Sequence, residues 1–232
     1  MSGMVSPVAR GLALALSSSL AATPAAAADW SAEVGLVSDY RYRGLSLSNR
    51  KPAVQGSLSL EHESGAYAEL WASSLTESGA SKAEIDATAG YAFSLTEALS
   101  FDVSATYYAY PGAADANALD LTGTLEAGGG PFTASFGLSV APPQRGTRDD
   151  LGDRKTNVYA FAGASYQLPS VPLTLRTTVG YERGPWDMAE GAGKWDWSLG
   201  GEADFKRFRV GIDFVGSDAG DEKVIGALIL AF

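Results

Sequence analysis

The chain of 232 residues contains no cysteine and a single histidine, His62. Without cysteine, disulfides and thiolate metal sites are excluded, and a zinc site or a histidine-based catalytic centre would need unusual partners. No apolar run of about 20 residues follows the first 28, so no membrane-spanning helix is expected. The formal net charge of −10 argues against a nucleic-acid partner, because phosphates attract basic surfaces.

The first 28 residues have the features of a secretory signal peptide. Arg10 supplies a positive charge, Gly11–Leu20 is a short apolar segment, and Ala26–Ala28 form a small-residue cleavage site. We predict that residues 1–28 are removed and that residues 29–232 form one domain. The alternative is an amphipathic N-terminal helix. Export without a later spanning helix directs the chain to the periplasm, the outer membrane or the medium.

The sequence is rich in segments in which apolar and polar residues strictly alternate. It begins at Trp30–Gly44, where one face carries Trp30, Ala32, Val34, Leu36, Tyr40 and Tyr42, and the other carries Ser31, Glu33, Asp39, Arg41 and Arg43. Successive side chains of a strand point to opposite sides, so the pattern indicates a β-strand between two media. In a soluble sandwich the apolar face would be core. In a membrane barrel it would meet lipid, and the polar face would line a lumen.

The same alternation recurs about a dozen times, in segments long enough to cross a bilayer at a tilt. The short connections are Glu63–Gly65, Leu95–Ala98, Gly128–Gly130, Gln167–Ser170 and Lys206–Arg207. They alternate with the longer ones, which are Leu45–Lys51, Leu75–Ser81, Pro111–Asn117, Pro142–Lys155, Arg183–Gly193 and Ser217–Glu222. This sorting predicts an all-β fold, a transmembrane antiparallel β-barrel of about 12 strands with short periplasmic turns and longer extracellular loops. A secreted or periplasmic β domain is the alternative.

Aromatic residues fall near both ends of the predicted strands. On the turn side they are Trp30, Tyr91, Phe93, Phe101, Phe132, Tyr166, Phe205, Phe208 and Phe232, and on the loop side Tyr40, Tyr42, Tyr107, Tyr181, Trp195 and Trp197. Two such bands are expected where rings lie at the two lipid–water interfaces, although aromatic residues also favour strands in general. We therefore predict contact with the lipids of a Gram-negative outer membrane. The final strand ends on Phe232, which predicts insertion by the barrel-assembly machinery.

The segment from Val37 to Gly112 is rich in distinctive short motifs. They are Ser38–Tyr40, Arg43–Ser46, Lys51–Gly56, Ser64–Tyr67, Trp71–Ser73, Glu84–Asp86, Gly90–Tyr91 and Tyr107–Gly112. These motifs resemble the N-terminal signature of the TorF-type porins, the Gcw_chp family of bacterial outer-membrane proteins of unknown function. The resemblance implies a porin and carries no established substrate. Arg41 departs from the family pattern, in which an apolar or aromatic residue is expected.

The polar faces supply candidate residues for the lining of a lumen. They are Glu33, Asp39, Arg41, Arg43, Glu84, Asp86, Asp102, Asp120, Glu126, Arg176, Asp196, Glu202, Arg209 and Asp213. Carboxylates outnumber bases, and a confined path lined by carboxylates attracts cations. The sequence therefore predicts a narrow, weakly cation-selective channel for passive diffusion of small hydrophilic solutes or ions. The alternative is a plugged, structural barrel filled with ion pairs, in which Pro142–Lys155 or Arg183–Gly193 could fold inward.

Neither an enzyme nor a bound cofactor is predicted. His62 lies at a short turn, and the neighbouring Ser64 has the wrong geometry for a catalytic pair if both lie on a strand. The carboxylates of Asp149, Asp150 and Asp153 could attract calcium, but their spacing is not that of an EF-hand and a solvated acidic loop is favoured. An adhesive barrel acting through its long loops is a further alternative, for which Trp186 with Met188 offers the one evident anchor.

Overall fold

The computed structural model describes residues 28–78, 81–188 and 192–232, so the predicted signal peptide, apart from Ala28, lies outside the described residues. In chain order the strands are β1 (Ala28–Val37), β2 (Arg41–Tyr42), β3 (Leu45–Ser46), β4 (Ala53–His62), β5 (Ala66–Ser78), β6 (Ser81–Ser94), β7 (Leu99–Ala109), β8 (Ala118–Gly129), β9 (Phe132–Ala141), β10 (Asn157–Gln167), β11 (Leu173–Arg183), β12 (Lys194–Asp204), β13 (Phe208–Ser217) and β14 (Lys223–Ala231). Single-turn 3-10 helices occupy Ala114–Ala116 and Arg145–Thr147. Among the described residues, no helix is long and apolar enough to cross a bilayer.

Twelve of these strands, β1 and β4–β14, close into one antiparallel barrel, and the short hairpin β2–β3 stands apart from it. The first strand meets the last in register, with Val34 opposite Leu230. The backbone N–H of Phe232 donates to the carbonyl oxygen of Ala32 at 2.9 Å and extends this seam. Within the described residues, closure leaves the barrel without a free strand edge. The predicted antiparallel barrel of about 12 strands is therefore confirmed.

The outer face of the barrel is an apolar belt. Large side chains that alternate outward are at least half exposed, namely Val34, Leu36, Leu70, Phe136, Leu199, Ile212 and Val224. The positions between such residues carry buried polar side chains, among them Ser59, Ser73, Thr88, Thr124, Ser139 and Asp213. A water-soluble protein rarely exposes so extensive an apolar surface, and the belt matches the lipid-facing band of outer-membrane barrels.

The turn-side aromatic residues lie on the outer face, as predicted. Trp30, Tyr91, Phe93, Phe132, Tyr166, Phe205, Phe208 and Phe232 are all well exposed, and Phe101 is half-buried. Neighbouring rings contact one another, with Phe205 stacked on Phe208 at a centroid distance of 4.9 Å. On the loop side, Tyr107 and Trp195 also face outward. Rings of this kind suit the lipid–water interface, where one end of the side chain is wet.

The first strand is shorter than the alternation predicts. β1 ends at Val37, and residues 38–52, here called loop 1, turn into the barrel. At the turn the carboxylate of Asp39 accepts hydrogen bonds from Ser46 Oγ at 2.6 Å and from Ser48 Oγ at 3.0 Å. These bonds satisfy the buried carboxylate only if the chain folds back on itself. The alternation beyond Val37 therefore belongs to a loop and not to the barrel wall.

The prediction that Tyr40 and Tyr42 belong to a lipid-facing band is wrong. Tyr40 is 5% exposed, and its ring lies 5.3 Å from that of Trp71 inside the barrel. The hydroxyl of Tyr42 lies 3.1 Å from that of Tyr108, whose side chain also points inward. Alternate residues of a strand face the lipid only while that strand forms part of the barrel wall. Tyr40 and Tyr42 both follow the turn at Asp39, where the chain has left the wall.

The connection after β5 is also shorter than the predicted loop Leu75–Ser81. β5 continues through Ser78 and β6 begins at Ser81, with an irregular register between Ser74 and Ser78. Leu75 is buried inside the barrel, and this burial favours continuation of the strand. At this hairpin the expected long loop is absent from the described residues. Other strand ends differ from the predictions by only a few positions.

An apolar cluster lies inside the barrel against the wall formed by β14, β1, β4 and β5. Its buried members are Val37, Tyr40, Ala53, Trp71, Leu75, Ala227 and Ile229, and Leu47 and Tyr110 pack against them. Tyr40 and Leu47 belong to loop 1, so the cluster anchors this loop to the inner wall. Burial of each large apolar side chain contributes on the order of 1.5–3 kcal/mol. The base of loop 1 is thus packed into the interior of the barrel.

Candidate functional site

The candidate site is the lumen, and the structure places all of the predicted lining residues on its inner side. Those that are buried are Glu33, Asp39, Arg41, Arg43, Glu84, Asp86, Asp120, Asp196, Arg209 and Asp213. Those that are partly exposed are Asp102, Glu126, Arg176 and Glu202. Contrary to the prediction, Asp39, Arg41 and Arg43 reach the lumen from loop 1 and not from the first strand.

Arg43 is the centre of the loop-side half of the lumen. Its guanidinium donates to Glu182 at 2.5 Å, to Asp120 at 2.9 Å and to Ser139 Oγ at 3.2 Å. Both carboxylates are only 1% exposed, so loss of the guanidinium would leave buried charge uncompensated. Asp120, Ser139 and Glu182 belong to β8, β9 and β11. Arg43 therefore ties loop 1 to the wall opposite the apolar cluster.

Aromatic rings complete the surroundings of Arg43. The guanidinium carbon lies 4.1 Å from the ring centroid of Tyr159, 4.7 Å from that of Tyr42 and 5.8 Å from that of Trp186. Tyr108 packs edge-on against Trp186 at 6.1 Å. Cations over aromatic faces are attracted by the ring quadrupole, most strongly where water is excluded. The site is thus a ring-and-carboxylate cage around one planar cation.

Lys194 is a lumen cation that was absent from the predicted lining residues. It is fully buried, and its ammonium pairs with Glu182 at 2.8 Å and donates to the carbonyl oxygen of Arg43 at 2.8 Å. Asn157 donates to the same Glu182 at 3.0 Å. The sequence could have indicated Lys194, because it lies two residues before Asp196 and such residues point to the same face of a strand. Asp196 was assigned to the lumen.

A second set of contacts holds the base of loop 1. Arg41 donates to Asp39 at 2.8 Å and to the carboxylate of Asp221 at 2.8 Å, and Arg50 donates to the other oxygen of Asp221 at 2.8 Å. These donors hold the pKa of Asp221 below its ordinary value, at about 2, and the hydrogen bond from Arg50 is the largest cause. Asp221 lies in the connection between β13 and β14, so two loops that are distant in sequence are joined at the mouth.

On the turn side, two arginines pair with carboxylates one or two strands away in the barrel wall. Arg176 donates to Asp213 at 2.8 Å and to Glu202 at 3.3 Å. Arg209 donates to both oxygens of Glu33 at 2.7 Å. All of these residues belong to β1 or to β11–β13. Within the described residues, the buried and half-buried basic side chains of the barrel strands therefore all lie on β11–β13, because Lys82, Arg183 and Lys223 are exposed.

The opposite wall, β5–β8, is acidic. Its inward side chains include Glu69, Glu84, Asp86, Asp102, Asp120 and Glu126, and the one Lys or Arg in the described residues of these strands, Lys82, is exposed at the loop-side end of β6. Hydroxyl groups support some of these carboxylates, with Tyr67 donating to Asp102 at 3.1 Å and Tyr110 donating to Glu84 at 2.7 Å. Burial raises the pKa of Tyr110 far above its ordinary value, so this hydroxyl keeps its proton for that bond. Charge is thus segregated across the lumen.

Loop 1 and two other connections cover the loop-side mouth. Trp186 turns inward, and its indole N–H donates to the carbonyl oxygen of Gly146 at 2.7 Å. A cavity of about 180 Å³ lies beside the rings of Tyr42, Tyr108 and Trp186. Constriction by Arg183–Gly193 was one of the predicted alternatives, and in the described residues this connection does fold over the mouth. The deeper constriction by loop 1 was not predicted, because its anchors lie far away in sequence.

Two further candidates from the sequence have clear structural surroundings. The turn after β4 takes Ser64 off the strand and brings its Oγ to 2.8 Å from His62 Nδ1, a contact that a continuous strand would not allow. The same nitrogen is 3.1 Å from the backbone N–H of Ser64, which makes the contact part of the exposed turn. Among the acidic residues of the 142–155 loop, Lys155 contacts Asp149 at 3.7 Å and Asp153 at 3.1 Å. Within the described residues, no cluster of three or more potential ligands forms a metal site.

A closed antiparallel barrel with an apolar belt and an ion-paired interior defines an outer-membrane β-barrel of the porin type. The chain belongs to the family described as "Bacterial protein of unknown function (Gcw_chp)", whose model matches residues 21–228. The resemblance to Gcw_chp proteins in the sequence is therefore confirmed.

Solved structures of outer-membrane porins share this fold. A KdgM porin superposes with a TM-score of 0.62 at 7% identity, covering 87% of this chain and 98% of that one. A NanC porin gives 0.58 at 11% identity, covering 88% and 98%. An outer membrane channel from Pseudomonas putida F1 gives 0.54 at 13% identity, covering 91% and 97%. No curated protein matches the chain in sequence. At these identities the likeness concerns the fold and assigns no residue a role.

Proposed function

We propose that the protein is a narrow diffusion channel for small hydrophilic solutes and ions, with a weak preference for cations. The observation that carries this proposal is the segregation of charge in the lumen. Partly exposed carboxylates such as Asp102 and Glu126 stand on a wall that carries no buried or half-buried Lys or Arg among its described residues. Beside such a wall the local cation concentration rises and anions are repelled.

The inward side chains of the lumen are not equally accessible along its length. On the turn-side half, Asp102, Glu126 and Glu202 are partly exposed and form a vestibule. On the loop-side half, Asp120 and Glu182 are buried around Arg43. Loop 1 is therefore the constriction of the proposed channel, and it limits passage to small solutes.

A surplus of carboxylates also bears on the class of solute. One of the similar structures is a KdgM porin in complex with disordered oligogalacturonate, which is a polyanion. In this chain a polyanion would face an acidic wall without buried or half-buried bases among its described residues, and like-charge juxtaposition is costly. The proposed solutes are therefore neutral or cationic, in contrast to the ligand of that porin.

A non-conducting structural or adhesive barrel is the second candidate. The buried ion pairs of Arg41 and Arg43 favour it, because they fill the mouth with fixed side chains. Its loops would act as contact surfaces through exposed apolar residues, such as Leu151 and Met188. Trp186, the anchor expected from the sequence, is turned inward and is not available for this purpose.

The proposal includes a route to the membrane. The chain is exported with a signal peptide over residues 1–28, and the mature barrel begins at Asp29. The barrel-assembly machinery of a Gram-negative bacterium recognises the last strand through Phe232. Within the Gcw_chp family, the chain is one of the TorF-type porins. No catalytic step, cofactor or nucleic acid takes part.

Single-channel recording in a planar bilayer with a KCl gradient tests the proposal. We expect discrete conductance and a reversal potential of the sign that indicates cation preference. An anion-selective reversal potential would overturn the selectivity. A silent barrel whose gel mobility shifts on boiling, and which is therefore folded, would favour the structural or adhesive alternative.

A further inference from the structure

The site that holds Arg43 is built mainly from the barrel wall and not from loop 1. Asp120, Ser139, Tyr159 and Glu182 belong to four strands, β8–β11, and Trp186 follows β11 directly. Of the three rings around the Arg43 guanidinium, only that of Tyr42 belongs to loop 1. If the tip of loop 1 moved away, a preformed pocket with two carboxylates, two rings and a hydroxyl would remain on the wall.

The chemistry of that pocket suits a planar cation that carries several N–H donors. Asp120 and Glu182 accept charge-assisted hydrogen bonds, and the rings of Tyr159 and Trp186 cover the faces of the guanidinium. One oxygen of Asp120 is buried without a hydrogen-bond partner in the described structure, so the pocket can accept one more donor. Without a cation there, Glu182 would keep the ammonium of Lys194, and Asp120 would keep only the hydroxyl group of Ser139.

The present occupant sits on a tip that can be displaced separately. Arg43 and Gly44 form the turn of the short hairpin β2–β3, with φ angles of 48° and 83°. Only two residue pairs join the two strands of this hairpin. The base of loop 1 is held by the bond between Arg41 and Asp39 and by the apolar cluster around Tyr40. Arg41 also donates to the carbonyl oxygen of Gly44 at 3.1 Å, and Lys194 donates to that of Arg43. Departure of the tip breaks these two bonds, while the base remains in place.

From these contacts we infer that the wall pocket is a binding site for solutes that carry a guanidinium or primary ammonium group, which exchange with Arg43. The inference rests on the proposed channel function for its biological setting. In the exchange no covalent bond changes, and one cation replaces another in the same carboxylate and ring cage. Displacement of Arg43 moves the tip of loop 1 out of the constriction, so the solute that binds is also the solute that opens its own path.

The experiment measures binding separately from conduction. The fluorescence of Trp186 in the folded barrel in detergent is titrated with guanidinium chloride at millimolar concentrations, against NaCl at the same ionic strength. In Arg43→Gln the internal competitor is absent, so the apparent affinity for guanidinium rises about tenfold or more over the unsubstituted protein. Adding Asp120→Asn to that variant abolishes the gain. Trp186→Phe removes the signal and identifies its source among the five tryptophans.

Arg43→Lys is the second variant, because it retains the charge if Arg43→Gln fails to fold. Its ammonium lacks the planar fork, so guanidinium displaces it more readily than it displaces Arg43, and the apparent affinity again rises. Equal affinities in the unsubstituted protein, Arg43→Gln and Arg43→Lys would overturn the inference, as would a gain that survives Asp120→Asn. Binding without conductance would overturn the channel function and leave the site standing. Conductance without guanidinium binding would do the reverse.

Discussion

Arg41 in loop 1 and Asp221 in the last connection are joined by two hydrogen bonds, although they are 180 residues apart in sequence. The guanidinium donates to both the carboxylate and the backbone carbonyl of Asp221. Arg50 binds the second carboxylate oxygen. Asp221 therefore restrains loop 1 from the outer side of the mouth, while the apolar cluster around Tyr40 restrains it from within.

Replacing Asp221 by alanine is expected to loosen loop 1 with little loss of stability. Asp221 is 40% exposed, and ion pairs at such positions contribute no more than about 1 kcal/mol. Arg41 keeps its bond to Asp39 in the variant. Single-channel recordings should show larger or more frequent openings than in the unsubstituted protein. Glu222→Gln, an exposed change in the same loop, is the matched control, and identical recordings for both variants would contradict the role of Asp221.

The restraint by Asp221 should resist acid. Because the pKa of Asp221 is lowered to about 2 in the folded protein, its contribution is fully present above the ordinary pKa of 3.8 and is lost as the pH falls toward about 2. The frequency of channel openings should therefore stay constant from neutral pH down to about pH 4 and rise below it, as the restraint on loop 1 is lost. In Arg50→Ala the largest cause of the lowered pKa is removed, so the change should begin at a higher pH. A transition at the same pH in both proteins would contradict this assignment.

The cation preference should depend on the acidic wall. In the double variant Asp102→Asn with Glu126→Gln, two partly exposed carboxylates of the vestibule lose their charge. The ratio of cation to anion permeability, measured from reversal potentials, should fall toward unity. The control, Glu97→Gln with Asp150→Asn, changes the net charge equally at exposed positions outside the lumen. Equal effects of the two double variants would show that net charge, and not the wall, sets selectivity.

Tyr40 should be the main apolar anchor of loop 1. Its ring is buried against Trp71, and truncation of a buried aromatic ring to alanine costs about 3–5 kcal/mol. Tyr40→Ala should therefore lower the free energy of unfolding in urea and raise the conductance, because the loop is released. Tyr40→Phe keeps the ring but loses the hydrogen bond of the hydroxyl group to the buried Glu84, so it should lower the free energy of unfolding by less than Tyr40→Ala does and leave the conductance unchanged. Loss of conductance in Tyr40→Ala would mean that loop 1 supports the open path and does not restrict it.

Phe232 should matter for insertion more than for the stability of the finished barrel. Its ring is 79% exposed on the outer face, while its backbone holds the seam to Ala32. Phe232→Ala keeps those backbone bonds, so refolding into detergent should be normal and the amount found in the outer membrane of cells should fall. Phe205→Ala, which removes another exposed turn-side ring, is the control. Equal yields for these two variants would remove the case for recognition through Phe232.

Most of the wall could be predicted because it follows from local alternation. In β9, for example, Phe136 and Leu138 face outward while Ser135 and Ser139 face inward, as their parity requires. Alternation predicted the wrong side for residues at which the chain leaves the barrel wall. Tyr40 has the parity of a lipid-facing residue, but the turn at Asp39 takes it inside.

The inner apolar cluster was hidden for a different reason. Ile225 and Ile229 are buried inside the barrel, while Val224 and Leu228 face outward from the same strand. β14 is therefore apolar at both parities, and a pattern of this kind does not report which face meets lipid. The sequence of β14 does indicate an apolar patch inside the barrel. It does not indicate that residues of loop 1 pack against that patch.

The sequence by itself determined the alternation of the strands, their number and the apolar outer belt, because side-chain parity in a strand is a local property. It also determined the surplus of acidic residues in the lumen, since the position of each carboxylate in the alternation predicts the face of the strand on which it lies. Only the tertiary structure decided that loop 1 crosses the mouth and that Arg43 enters a cage on the far wall. Those contacts join residues 77 and 139 positions apart, and barrel closure alone brings such partners together.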